Sequence, residues 1–267
     1  VGEDPVARQF AGTITCQVPQ LDVKNTFGIE VFHSISTKLD LRLQDGDLRF
    51  LNVYGAPEHE PSWSGPVSSS LRARISRGVV EPGSQLVAAA PAARLAWPAV
   101  TLTTQLGLSF GRLRAEPQLN LDVTLQSTSL SSRDETVAGP TARQTRAALA
   151  LEGVDLARPL RLAGAEMVTE ARLANLAWLN GFVGAKSRLR FSGAADAKLQ
   201  LTRKATGGGD GHVELDVTQG RVKDHDFDVH SDVHAVARFQ TREAPTTAQG
   251  AVSFRASDGD TLLSLAV

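Results

Sequence analysis

The chain has 267 residues, enough for one large domain or two modest ones. Its 28 Lys and Arg nearly balance 29 Asp and Glu, a formal net charge of -1, which argues against a polyanion partner and leaves no nucleic-acid role to expect. One cysteine, Cys16, excludes an intrachain disulfide framework and a cysteine-only metal site, and no apolar run approaches the roughly 20 residues that cross a bilayer.

The opening VGEDPVARQF lacks an initiator Met and a basic region followed by an apolar core, so the chain is expected to be a processed form or a fragment. Aromatic residues make up 5% and there is one Met, so buried faces must come mainly from Leu, Val, Ala and Phe. Short alternating pieces at Ile14–Val18 and Leu21–Val23 flank Pro19, as at an edge or bend. Ile35, Thr37, Leu39, Leu41 and Leu43 then form one face opposite Lys38, Asp40, Arg42 and Gln44. Asp45-Gly46 predicts a hairpin with Leu48–Tyr54 as its return strand. The Pro/Gly/Ser-rich stretch 55–70 predicts a loop or a boundary.

Leu71, Ala73 and Ile75 restart the alternation before Gly78. Residues 81–99 are ambiguous: alanines allow a helical turn, but Pro82, Pro91 and Pro98 forbid a long helix. Val100–Phe110 predicts a long strand with Leu102, Leu106, Leu108 and Phe110 on one face, and Leu119, Leu121, Val123 and Leu125 repeat the pattern. The polar Ser127–Gln144 stretch is expected to loop out, before Ala147, Leu149 and Leu151 resume. Over 160–182, Met167, Ala171, Ala174 and Trp178 have helical spacing; the rival reading is a strand through Val168 with a helical turn only at Leu176–Asn180. Residues 187–203 read as a strand with a bulge or bend at Gly193.

The stretch from Leu199 to Gln240 carries the clearest period-two signal. Val213, Leu215 and Val217 alternate with polar residues up to a predicted turn at Gln219-Gly220. Phe227, Val229, Val233, Ala235, Ala237 and Phe239 then share one parity, with Asp226, Asp228, His230, Asp232, His234 and Arg238 on the other. Residues 225–240 fully extended would span roughly 50 Å, long beside ordinary strands of roughly 3 to 10 residues. A last hairpin is expected around Asp258-Gly259.

The fold class is therefore all-β: long, mostly antiparallel strands with minor helix, in a curled open sheet or β-groove. A compact β-sandwich is the alternative. Strand length and the scarcity of aromatic core anchors favour the open sheet, whose apolar face would exceed what a soluble monomer normally exposes and so implies an apolar ligand or partner. Two regions are expected, 1–160 and 161–267, unless the sheet is continuous.

The segment ARLANLAWLNGFVGAKSRLRFSGAADAKLQLT, followed by GHVELDVTQGRVKDHDFDVHSDV, resembles the repeating units of the AsmA/TamB/YdbH superfamily of bacterial envelope proteins. Members commonly show a "dLaWLn" turn, an "LrlsG" strand and a "G.l.ldl..G.l" hairpin. Leu173, Leu176, Trp178, Leu179, Asn180, Leu189, Phe191, Gly193, Leu199, Leu201, Gly211, Val213, Leu215, Gly220 and Val222 match that style. LRLQDGDLRF at 41–50 is similar but shorter, and the resemblance covers residues 165–240. It implies an elongated β-groove, U-shaped in section, whose apolar floor carries lipid acyl chains through the periplasm as part of a membrane-anchored protein. Inner- and outer-membrane components, or further segments of a longer chain, would be its partners.

On that reading the groove is lined by Leu39, Leu41, Leu43, Leu102, Leu106, Leu108, Phe110, Leu121, Val123, Leu189, Phe191, Leu199, Leu201, Val213, Leu215, Val217, Phe227, Val229, Val233 and Phe239. No catalytic residue and no cofactor is expected. His230, Asp232 and His234 share a strand face and are metal candidates, set against a solvated polar face. The two Asp-Gly-Asp sequences read as hairpin turns, and the GGGDG run at 207–211 as a linker without the Lys-Ser/Thr of a phosphate loop. Cys16 reads as a buried small hydrophobe, Ser64 lacks a nucleophile-elbow setting, and His59 with Glu58 and Glu60 is a candidate acid–base cluster set against surface polar residues of the Pro-rich loop. Arg72, Arg74 and Arg77 are candidates for head-group phosphates at a groove rim, or a solvated face. The competing functions are a structural or adhesive β module without ligand and a β-rich hydrolase.

Overall fold

A computed structural model describes residues 7–17, 33, 36–53, 62–97, 100–132, 137–155, 158–181, 188–205, 207–226, 228–241, 246–255 and 261–266. The described strands are β1 (Ala7–Gln17), β2 (Ser36–Asp47), β3 (Ser62–Ser64), β4 (Pro66–Ser76), β5 (Val79–Val80), β6 (Ser84–Ala96), β7 (Val100–Arg112) and β8 (Gln118–Ser132). They continue with β9 (Thr141–Glu152), β10 (Arg161–Leu173), β11 (Arg190–Lys204), β12 (Gly209–Lys223), β13 (Asp228–Thr241), β14 (Thr246–Arg255) and β15 (Thr261–Ala266). Two short 3-10 helices, Leu48–Val53 and Leu176–Gly181, precede β3 and β11 respectively.

Hydrogen bonding follows chain order from β1 through β2, β4 and β6 to β15, with β3 beside β6 and β5 beside β4. The first and last strands of this path do not pair, so the sheet is open, and the registered pairs are antiparallel. The period-two pattern and short connections dictate this meander, because neighbouring hairpins satisfy the backbone while keeping one parity on one face.

Contacts divide the chain into two units: residues 1–93, 105–124 and 147–165 form the first, and 94–104, 125–146 and 166–267 the second. Strands β6 to β10 contribute a segment to each. In the first unit, Leu48, Val67, Ala90 and Ala93 are buried together, with Leu43, Phe50, Leu51, Trp63 and Leu106 packed against them. In the second, Trp178 and Ala195 are buried.

The two 3-10 helices belong to one motif that occurs once in each unit. Asn52 and Asn180, 128 positions apart, each clamp the backbone of the residue eleven positions later. The Asn52 amide accepts from Trp63 N–H at 2.7 Å and donates to Trp63 C=O at 3.0 Å. Asn180 accepts from Phe191 N–H at 2.8 Å and donates to Phe191 C=O at 3.1 Å. Asp47 and Asn175, at the same spacing, each accept a backbone N–H two residues on at 2.9 Å, starting the helix as an N-cap. Gly65 and Gly193 follow at the same offset with φ of 120° and 115°. A Cβ on Gly65 would stand 2.2 Å from Ala92 O, and one on Gly193 2.7 Å from Gln219 O, so both positions require glycine for conformation and for close approach.

Several sequence expectations are corrected. Asp45-Gly46 makes no hairpin: β2 runs through it, with Asp45 at φ 52° and a register shift against β4 between Leu43 and Gly46. The ladder continues on both sides, so the dipeptide forms a bulge, and Leu48–Val53 is helical rather than a return strand. Likewise Gln219-Gly220, with Gln219 at φ 51°, is a bulge inside β12, not a turn. Residues 84–96 are strand throughout; Pro91 and Ala92 are both exposed between buried Ala90 and Ala93, an irregularity that accommodates the proline. Ser127–Gln144 is not one loop, since β8 reaches Ser132 and β9 starts at Thr141. The buried Thr104 and Thr128 hydroxyls meet there at 2.8 Å, which lets polar side chains sit in a sheet interior. The helical spacing of Met167, Ala171, Ala174 and Trp178 gives way to the rival reading: β10 is strand to Leu173, with alternate residues half-buried. The break at 55–70 includes β3 and the start of β4 from residue 62 onward. The turn at Asp258-Gly259 lies outside the described residues, although β14 and β15 pair as the predicted hairpin requires.

Candidate functional site

Register converts the alternation into rows. In the second unit Leu199 faces Val213 and Ala237, Ala197 faces Leu215 and Ala235, and Ala195 faces Val217 and Val233. The backbone continues these rows to the positions of Val252 and Leu265, and of Phe254 and Leu263. The bulge at Gln219-Gly220 inserts one extra residue into β12 alone, opposite Gly193 on β11, so Val222 switches parity and rejoins the face that Phe191 and Val229 keep by unbroken odd parity. The second 3-10 helix stands at its edge. Leu173, Leu176 and Leu179 together with Phe191, Leu215, Val217, Val222, Val229 and Val233 wall a recess of about 410 Å³. Val229 remains 51% exposed there.

In the first unit, Leu39, Leu41 and Leu43 stand opposite Ala73, Leu71 and Ser69 on one side and Ile14, Gly12 and Phe10 on the other. Phe10 and Ile14 are 69% and 64% exposed on the outermost strand. The corresponding corner is filled: Leu51 and Trp63 pack onto buried Leu48 and Val67.

The other predicted lining residues take these places. Leu106 joins the first core, while Leu102, Leu108 and Phe110 share its parity on β7 and are half-buried. Leu121 and Val123 share the parity of buried Leu119 on β8 and are half-buried. Leu189 is half-buried just before β11, and Leu201 faces Gly211. Phe239 stands in register with Gly211 and Ala248, and Phe227 lies outside the described residues. Leu173, Leu176, Leu179, Val222 and Ala195 were not among the predicted lining residues. Four of them, Ala195 excepted, belong to the motif that carries the resemblance, and the β12 bulge hides the common face of Val217 and Val222 from simple alternation.

The wet face carries the titratable groups. His230, Asp232 and His234 do not converge: His230 stands 3.8 Å from Asp228, and Asp232 accepts the Gln219 N–H at 2.6 Å, holding the β12 bulge. His234 instead meets Asp216, its register partner on β12. Glu214, Asp216 and His234 each bring a ligand atom within 4.8 Å of the others, the one such group among the described residues. Nearby, Arg221 Nε donates to Asp228 at 2.7 Å and a second guanidinium N–H bonds the other carboxylate oxygen. That hydrogen bonding holds the Asp228 carboxyl below its ordinary range and raises Arg221.

In the first unit a recess of about 540 Å³ of mixed polarity is lined by Arg42, Arg72, Ser70 and Gln85 together with Val87 and Ala89. Arg72 pairs loosely with Asp40 at 3.8 Å, and Arg77 sits in the turn before β5 with φ 50°. Arg72 and Arg74 have the parity opposite to Leu71 and Ala73, so they lie behind the apolar face and do not rim it. Cys16 is not buried as expected: it is exposed on the outermost strand, β1, where its sulfur accepts from Thr37 at 3.7 Å. Ser64 lies in β3, Gly209–Gly211 of the glycine run belong to β12, and Glu58, His59 and Glu60 lie outside the described residues.

No protein-family model matches this chain, and neither does any curated protein or solved structure.

Proposed function

We propose that the chain is a non-catalytic lipid-binding module that holds acyl chains against the apolar face of its open sheet and lets them move along it. The observation that carries this reading is the in-register apolar rows across β11, β12 and β13, which end at the recess beside the second 3-10 helix. Each methylene that leaves water for such a surface contributes about 0.8 kcal/mol. Head groups stay in solvent, and an apolar floor without discrete polar anchors lets a chain slide with little activation. The resemblance of residues 165–240 to AsmA-like repeats supports a place in the periplasmic space, within a longer membrane-anchored protein whose neighbours deliver and accept lipid.

Organic-solvent extraction of the purified chain followed by mass spectrometry tests this, together with titration of a fluorescent fatty acid. Near-stoichiometric lipid is expected, and Leu215→Asp should abolish fatty-acid binding by placing a charge in the recess wall. A lipid-free chain that binds the fatty acid no better than Leu215→Asp does would refute the proposal and favour a structural β module.

A further inference from the structure

We propose that Glu214, Asp216 and His234 form a binding site for a divalent transition-metal ion, zinc first, on the wet face of the sheet, where it staples β13 to β12. The site is independent of the lipid reading, because these residues have the parity opposite to Leu215, Val217 and Val233. Asp216 and His234 face each other directly across the two strands, and Glu214 lies two residues away on the same side of β12. Cross-strand and diagonal neighbours on one face are close enough for side chains to share an ion. Here the three ligand atoms already lie within 4.8 Å of one another.

The donor set suits the assignment. One imidazole and two carboxylates form the mixed nitrogen and oxygen environment zinc accepts, at about 2.0–2.2 Å per bond, with a fourth position left to water. The side chains of Glu214, Asp216 and His234 are 30%, 47% and 43% exposed, so they can rotate inward the short distance this needs. The surroundings also favour a cation. Asp196 faces Asp216 from β11, a like-charge cross-strand pair that costs stability. The monovalent charges at hand are held loosely: Lys198 is 4.0 Å from Glu214, and Arg172 is 3.8 Å from Asp196. A divalent ion at the three-ligand cluster offsets this repulsion at its centre.

The test is calorimetric titration of zinc chloride into the metal-stripped 267-residue chain, with cobalt(II) absorption as a probe of coordination. One ion per chain is expected, with an unfolding midpoint that rises with zinc concentration. Glu214→Gln, Asp216→Asn and His234→Gln should each weaken binding by about tenfold or more, while His230→Gln leaves it unchanged. Glu214→Ala gives a second probe of the same ligand if one of these variants fails to fold. Absence of zinc binding by the wild-type chain at millimolar concentrations would overturn the site. So would unchanged affinity in the three ligand variants, or loss of binding in His230→Gln.

Discussion

Replacing Asn180 by alanine removes both hydrogen bonds that hold the second 3-10 helix to the first strand residues of β11. The lost contacts are Phe191 N–H to Asn180 at 2.8 Å and Asn180 to Phe191 C=O at 3.1 Å. Each is worth about 1 kcal/mol net, and the part-buried Phe191 amide is left without its acceptor, so local opening becomes easier by about 2 kcal/mol. That corresponds to about a thirtyfold loss of hydrogen-exchange protection at the Phe191 amide, measurable by exchange mass spectrometry or NMR. Asn180→Asp keeps an acceptor for the amide and should retain most of the protection, although its carboxylate then faces the Phe191 carbonyl. Asn52→Ala should expose the Trp63 amide in the same way by a smaller factor, since that clamp is more exposed. Because Leu176 and Leu179 wall the recess, Asn180→Ala should also weaken fatty-acid binding. Phe191 protection unchanged in Asn180→Ala would refute the clamp and, with it, the equivalence of the two motifs.

Gly193→Ala meets both a positive φ and the Gln219 carbonyl at 2.7 Å, and should lower stability by about 2–4 kcal/mol in urea unfolding. Gly65→Ala, with Ala92 O at 2.2 Å, should behave alike. Leu119, 2% exposed, should cost about 2–5 kcal/mol when cut to alanine, read from the same denaturation midpoint. Burial raises the Asp47 carboxyl, but the Arg49 N–H and guanidinium and a bond from Gly65 outweigh this and leave it below its usual 3.8. The folded state therefore takes up this proton less readily than the unfolded chain. Its stabilisation is complete above about pH 4 and is lost as pH falls through the lower folded value. Asp47→Asn, which keeps an acceptor for the Arg49 N–H, should flatten that acid-side dependence in thermal unfolding between about pH 2 and pH 5.

Alternation alone was enough to place β7, β11, β13, the first part of β12 and the all-β class, because period two has one structural meaning when it persists over many residues. It also placed Leu39, Leu41 and Leu43, and Val213, Leu215 and Val217, on common faces, a local property of each strand. Interruptions were not legible in the same way. Asp45-Gly46 and Gln219-Gly220 have the composition of turns, and only continuing hydrogen bonds on both sides make them bulges. The motif shared by Leu48–Gly65 and Leu176–Gly193 was not read from the sequence, where only residues 41–50 were likened to the later segment and Leu48–Tyr54 was expected to be a strand. Its content, an asparagine amide that pairs with both backbone groups of a strand residue eleven positions on, has no signal in hydrophobic alternation. The metal candidates show the same division. His230, Asp232 and His234 share a strand face by arithmetic, but the partner of His234 is chosen by the register of β12 against β13. The sequence by itself determined which residues seek an apolar or a wet face. Which of them meet was decided by tertiary structure, because register and bulges are set by whole hairpins in competition for the same backbone hydrogen bonds.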